Sequence, residues 1–365
     1  MKTKKYVYRL SGMLLSIATF FVLGAGHAAA APLTCTWTGA GSDSKFSTAA
    51  NWSNCNSAAP LSGDSLIFDG SASNKAPAND IGGLTIANIT FTNAAGFTVS
   101  GVNITLTGGI TDNSTGSTSS NTIALTLTLS GNQSITGTQV QPLVFGSLPS
   151  QLFSISSGTV TVGNVGGITV NSALSGTGGI VFSTSGSSLM TPASNFSGPI
   201  TIDNGVILNA DPTDLGSGSI TIVSGGTLAL VSAQSNITIN NPITMGGTGF
   251  RFGAIYAQLG SGTGGKLTFA GPVTLTSDTT IDPSSADVFV TGTYTPNGFK
   301  LTAATGTVTI GSASTASSTK AAPKAPNTGL AAVKSNPLVT LAVATASAVV
   351  LVAFAFRTRK ASVQR

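Results

Sequence analysis

The residues able to do chemistry are few. The chain has no glutamate, and its single histidine, His27, lies within the first 31 residues. Eleven aspartates are the only carboxylic side chains, and Cys35 and Cys55 are the only thiols. With no histidine beyond residue 31, a Ser-His-Asp or Cys-His site has no general base. A paired-carboxylate hydrolase needs two carboxyls facing one cleft. Asp211 and Asp214 are the closest pair, but they sit in Asp-Pro-Thr-Asp, a turn sequence. Asp282 also precedes a proline, and Asp203 precedes Asn204-Gly205. Calcium would need a spaced ladder of aspartates, which the sequence does not supply. Glycines at 260, 262, 264 and 265 mimic a phosphate loop, yet strand-like Leu267-Thr268-Phe269 follows where a helix is required. The expectation is no catalytic residue, no metal and no cofactor. The two cysteines leave two readings open. A bridge between them would close a loop of about 20 residues and contribute about 3 kcal/mol; otherwise they are two free thiols. Their spacing does not fit a four-ligand zinc site.

The elements that position these residues repeat one theme. Apolar residues alternate with threonine in Leu84-Thr85-Ile86, Ile104-Thr105-Leu106, Ile168-Thr169-Val170, Ile200-Thr201-Ile202, Ile220-Thr221-Ile222 and Val308-Thr309-Ile310. Period-two alternation marks strands with one buried face. Threonine is β-branched and uncharged, which suits the outer face. Residues 123–129 alternate over one longer strand, and nothing reads as a helix before residue 330. Asn204-Gly205 and Gly225-Gly226 supply the turns. A three-residue strand is stable only when the next coil stacks on it, as in a solenoid. Coils of about 20 residues, at about 4.8 Å each, give some eleven coils and a rod of about 50 Å. An antiparallel β-sandwich is the competing fold.

Residues 196–230 carry a more specific signal. Phe196-Ser197-Gly198, Ile200 and Ile202, Asn204-Gly205, Leu215-Gly216-Ser217-Gly218, Ile220 and Ile222, and Gly225-Gly226-Thr227-Leu228-Ala229-Leu230 follow one another in order. The segment resembles the autotransporter-associated β-strand repeat, also called the passenger-associated transport repeat. That resemblance implies an all-β, right-handed parallel β-helix on a bacterial surface protein. It implies no single ligand or reaction.

The ends differ from the middle. Residues 1–31 read as a secretory signal peptide: basic residues, an apolar run, then small residues around Ala28 and Ala30. An uncleaved N-terminal anchor is the other reading. Residues 32–83 hold both tryptophans, Trp37 and Trp52, and are similar to the aromatic-rich module that opens such β-helices. The tryptophans either cap the open end of the solenoid or offer a stacking platform to a sugar. Residues 84–310 form the β-helix domain. Residues 311–329, small and polar with proline, form a flexible stalk. Residues 330–365 contain 19 uncharged residues, 338–356, enough for roughly 28 Å of helix across a membrane, followed by Arg357, Arg359 and Lys360. The basic tail stays cytoplasmic and the solenoid outside. Within the stalk, Ala325, Pro326, Asn327, Thr328 and Gly329 resemble a sortase-read cell-wall sorting signal. That implies attack at the Thr328 carbonyl; the other reading keeps the span as a single-pass anchor.

The net charge of +5 is a property of these ends. Between them five basic residues face eleven acidic ones, so the body is acidic and nucleic acid is not an expected partner. Only 7% of the chain is charged, against about 25% in ordinary globular proteins. The expected role is a non-enzymatic cell-surface rod, an adhesin or coat, anchored in the membrane or wall. Its expected partners are the membrane, sortase and the cell wall, and glycans or another cell surface. A polysaccharide hydrolase or lyase and a protein-binding module are the alternatives.

Overall fold

A computed structural model describes residues 31–311 apart from 117, 191–194, 261–263 and 285. Residues 1–30, expected to be a signal peptide, the sorting-like Pro326, Asn327, Thr328 and Gly329, and the apolar run 338–356 lie outside the described residues. Among the described residues no helix is long and apolar enough to cross a membrane.

The fold is all-β, a parallel β-solenoid of about 11 turns. Among the described residues the strands form one 23-stranded sheet and two smaller sheets of five and four strands. The first face runs from Thr34–Trp37 through Ser65–Asp69 and Ile89–Ala94 to Tyr294–Thr295. The second runs from Ala78–Asn79 to Leu301–Ala303. The ten-residue strand Val273–Asp282 joins them, because its first half pairs with Ile243–Gly247 and its second half with Ile255–Gln258. The third face carries the five-stranded sheet early in the chain and the four-stranded sheet late.

The threonine-spaced triplets behave as their alternation requires. Ile200, Ile220 and Ile243 pair in register and point inward, while Thr201, Thr221 and Thr244 point outward. One inward column is unbroken: Cys35, Leu66, Ile89, Ile110, Ile135, Val162, Phe182, Ile202, Ile222, Met245 and Leu275. Each such side chain contributes about 1.5–3 kcal/mol by leaving water, so stacking, not local propensity, holds the short strands.

The glycines set how closely coils approach. A Cβ on Gly198 would lie 1.8 Å from the Gly178 carbonyl oxygen, and one on Gly218 would lie 1.9 Å from that of Gly198. Asn241 donates to the carbonyls of Gly216 and Gly218 at 3.1 and 2.8 Å, closing the same corner.

Two expectations change. Residues 123–129 are not one strand. Thr122–Ala124 and Leu127–Leu129 belong to different sheets, and Ala124 and Leu125 are both buried where the chain turns the corner. The parallel ladder also begins before residue 84, since Thr34–Trp37 pairs in parallel with Ser65–Asp69, which pairs in parallel with Ile89–Ala94.

The starting layer of the solenoid has its own cover. Trp52–Ser53 pairs antiparallel with Thr36 and Trp37. Lys45 bridges Ala78, the first strand of the second face, and Ala78 N–H donates to the Ser44 carbonyl at 2.7 Å. Gly63 N–H donates to the Thr85 carbonyl, on the first strand of the third face, at 2.8 Å.

Candidate functional site

At the first turn Cys35 and Cys55 form a disulfide with Cα atoms 4.8 Å apart. Asp64 is buried beside it, with one carboxylate oxygen 3.6 Å from the Cys35 sulfur. Its carboxylate accepts from the amides of Leu33 and Leu61 at 2.7 and 2.8 Å. The three ligand-type atoms lie within 4.8 Å of one another. With the sulfurs bonded to each other, neither is a free thiolate, so the group works as a staple joining residues 33, 35, 55, 61 and 64.

Trp37 and Trp52 are not a ligand platform. Trp37 is fully buried and Trp52 is 6% exposed. Their rings meet edge to face at 5.0 Å, and Phe46 meets Trp52 at the same distance. Phe68 continues the stack to Phe91 and Phe97 at 5.3 and 5.5 Å. Each indole N–H is also committed, Trp37 to the Asn74 carbonyl at 2.7 Å and Trp52 to the Phe46 carbonyl at 2.9 Å. An aromatic stack that replaces the interior of a missing preceding coil cannot turn a face to solvent.

The aspartates do structural work. Asp211 caps the short 3-10 helix Pro212–Asp214, accepting from Thr213 N–H at 3.0 Å, while buried Asp214 accepts from the Asp211 amide at 3.2 Å. Asp282 accepts from Ser284 N–H in its own turn and from Thr305 Oγ1 in the next coil. Asp278 and Asp287 likewise accept from the amides of Lys300 and Thr307. The Lys45 amide, with help from Thr48 Oγ1 and Asn51, holds Asp43 below the ordinary aspartate pKa. The Ser47 hydroxyl does the same for Asp80, and the Ser71 amide with Asn93 for Asp69.

Two buried polar groups were not anticipated from the sequence. Asp112 lies inside the solenoid, in register with Phe91 and Gly137, and binds Ser114 and Asn121. Gln133 lies in register with Val160, at the head of an otherwise aliphatic inward column that continues through Ile180, Ile200, Ile220 and Ile243. The available signal was phase: Asp112 keeps step with Ile110, and Gln133 with Ile135, so each belongs inside.

The outward face offers different chemistry. Ser134, Thr161, Val181, Thr201, Thr221, Thr244, Thr274 and Thr295 stand in one register column. On the third face Thr85, Thr105, Thr128 and Ser154 form a second, which ends at buried Ser175. Neighbouring rungs lie about 4.8 Å apart, so each column is a regular row of hydroxyls and methyls. Where the third face turns into the first, an open cleft of about 510 Å³ interrupts the surface. It is lined by the glycines 108 and 109 and by Asn132, Gln133, Ser134, Thr159 and Thr161. Asn132 Oδ1 accepts from Thr159 N–H at 2.9 Å, and Gln133 Nε2 donates to the carbonyls of Leu106 and Ser130 at 2.6 and 2.9 Å. Gln133 Oε1 is buried without a hydrogen-bond partner.

No family model, characterised protein or solved structure matches this chain.

Proposed function

We propose that this chain is a non-enzymatic protein of a bacterial cell surface: a right-handed β-helix of the autotransporter-associated repeat kind, which projects outward and meets glycans or another surface. A right-handed wind is the hand that parallel crossover connections favour. The observation that carries the proposal is the pair of uncharged, mostly hydroxyl columns, from Ser134 to Thr295 with Val181 as its one gap and from Thr85 to Ser154. Regular, neutral, rigid rows suit many weak hydrogen bonds made at once, where multivalency supplies the avidity. Aspartates held in turns and between coils also fit a scaffold better than an acid–base pair.

In the same reading residues 1–31 direct export. The membrane holds the span 338–356, or sortase and the cell wall hold Thr328. The deciding experiment uses full-length protein in intact producing cells. External protease should remove the solenoid while cytoplasmic markers survive. Solenoid that is protected until cells are lysed would overturn the surface assignment. The form released by wall hydrolases should end at Thr328 if sorted, and Thr328→Ala should then shift the protein to the detergent fraction. A detergent-extracted chain ending at Arg365 in both cases would leave the single-pass anchor.

A further inference from the structure

Resting on the reading of the outer surface as glycan-contacting, we infer that the corner loop 246–254 is an anchoring site for a saccharide that carries a single carboxylate.

The loop is an insertion in one coil. Met245 stands in register with Ile222 and Leu275, and Ile255 with Leu228 and Ile281. Between those rungs the coils before and after turn the corner in five residues, 223–227 and 276–280, while this coil takes nine, 246–254. The extra chain is closed at its neck. Buried Thr227 donates through Oγ1 to the Gly253 carbonyl at 2.8 Å and accepts from Phe250 N–H at 3.0 Å. Gly249, at φ +68°, lets the two limbs meet, since a Cβ there would lie 1.8 Å from the Gly253 carbonyl oxygen. A tip held in one shape pays little ordering cost on binding.

The tip displays groups that the fold does not use. From Phe46 to Phe196 every phenylalanine among the described residues is buried, but Phe250 is 47% exposed. Arg251 is exposed too, with its guanidinium carbon 5.3 Å from the centre of the Phe250 ring. Among the described residues it pairs with no carboxylate. It is the only basic residue between Lys75 and Lys266. Phe252 and Tyr256, both half-buried, follow with ring centres 4.9 Å apart.

These groups select a ligand. A guanidinium with no acidic partner takes a carboxylate through two parallel hydrogen bonds. Exposed ring surface takes an apolar C–H face. The hydroxyls of Thr221, Thr244 and Thr274, on the rungs that enter the corner, take hydroxyls. An acidic sugar supplies all three. Neighbouring charge limits it to one carboxylate. Asp278 lies in the corner of the following coil, and Asp282 stands in register with Tyr256. A run of carboxylates would meet like charge there.

The test titrates purified full-length protein by calorimetry and saturation-transfer NMR. The probes are a trisaccharide ending in one sialic acid, a tetrasaccharide ending in one glucuronate, their neutral parents lactose and xylotriose, tetragalacturonate, and a capped tripeptide with one aspartate. At least one singly charged sugar should bind about ten-fold or more tighter than its parent, the difference expected of a charge-assisted pair. Arg251→Gln should abolish that difference and leave the parent's binding within about two-fold. Phe250→Ser should weaken both. Lys266→Gln removes a cation that lies 4.4 Å from the Phe289 ring on another face, and it should change binding less than about two-fold. Equal loss in Lys266→Gln, or parents that bind as well as the acids, would overturn the anchor and leave the glycan-contacting surface standing. Tighter binding of tetragalacturonate would overturn the single charge, and tighter binding of the peptide would overturn the saccharide. Failure of every sugar at millimolar concentration would overturn both the anchor and the glycan-contacting surface.

Discussion

Asn121 spans the buried carboxylate of Asp112, with its amide nitrogen 3.1 Å from each oxygen. Its own carbonyl accepts the N–H groups of Gly96 and Phe97 at 3.0 Å each. One side chain therefore satisfies a carboxylate on the first face and two backbone donors at the second, while Lys75 Nζ, at the same corner, donates to the Ala94 and Ala95 carbonyls.

Asn121→Leu should accordingly cost about 3 kcal/mol or more, because it strands a carboxylate and two amides together. Asp112→Asn should cost less, since Ser114 and Asn121 can still donate to its amide oxygen. Chemical denaturation of both variants checks the order; equal losses would show that Asn121 does not serve the carboxylate.

The disulfide predicts a second loss. Cys35→Ser with Cys55→Ser reopens a 20-residue loop, for about 3 kcal/mol. The same shift should follow reductant in the wild type and vanish in the double variant. Reductant that moves the double variant's guanidinium midpoint would contradict this.

Glycine positions give a steric contrast. Gly198→Ala and Gly218→Ala place a Cβ within 2 Å of a neighbouring coil's carbonyl, so each should cost at least about 3 kcal/mol. At Gly82 nothing lies within 4 Å and φ is ordinary, so Gly82→Ala should stay within about 0.5 kcal/mol of wild type. Thermal midpoints of the three variants make the comparison.

Acid should loosen the start of the chain first. Asp43 and Asp80 both have pKa values held below the unfolded value, chiefly by the Lys45 amide and the Ser47 hydroxyl. A depressed carboxylate stabilises the fold above the unfolded pKa, about 3.9, and loses that contribution as pH falls through the folded value. Stability from these groups should be flat from pH 7 to 5 and decline below about pH 4. Asp80→Asn should remove part of the acid-sensitive decline without steepening it. Hydrogen exchange of residues 43–52 against pH reads this directly.

The strands were legible because threonine marks the outer phase and isoleucine, leucine or valine the inner one; Ile220-Thr221-Ile222 is a strand with the faces its alternation requires. Corners were not legible. Ala124 and Leu125 are both apolar and both buried, so the pattern around them continues across a bend. Tryptophan type alone did not tell packing from display, since Trp37 and Trp52 reach their positions only through the rungs they cover. The cleft was hidden for a related reason: it is shared by three coils, and only the register brings Gly109, Ser134 and Thr161 together.

The cover over the starting layer has a consequence for assembly. A stack of parallel rungs is a template that another molecule could extend by adding its own strand. Among the described residues, Trp52–Ser53, Ser44 with Phe46, and Gly63 already hydrogen-bond the starting strands of all three faces. Tail-onto-head growth into filaments therefore meets a blocked acceptor at this end, and the reach of the solenoid is fixed by the gene, not by concentration.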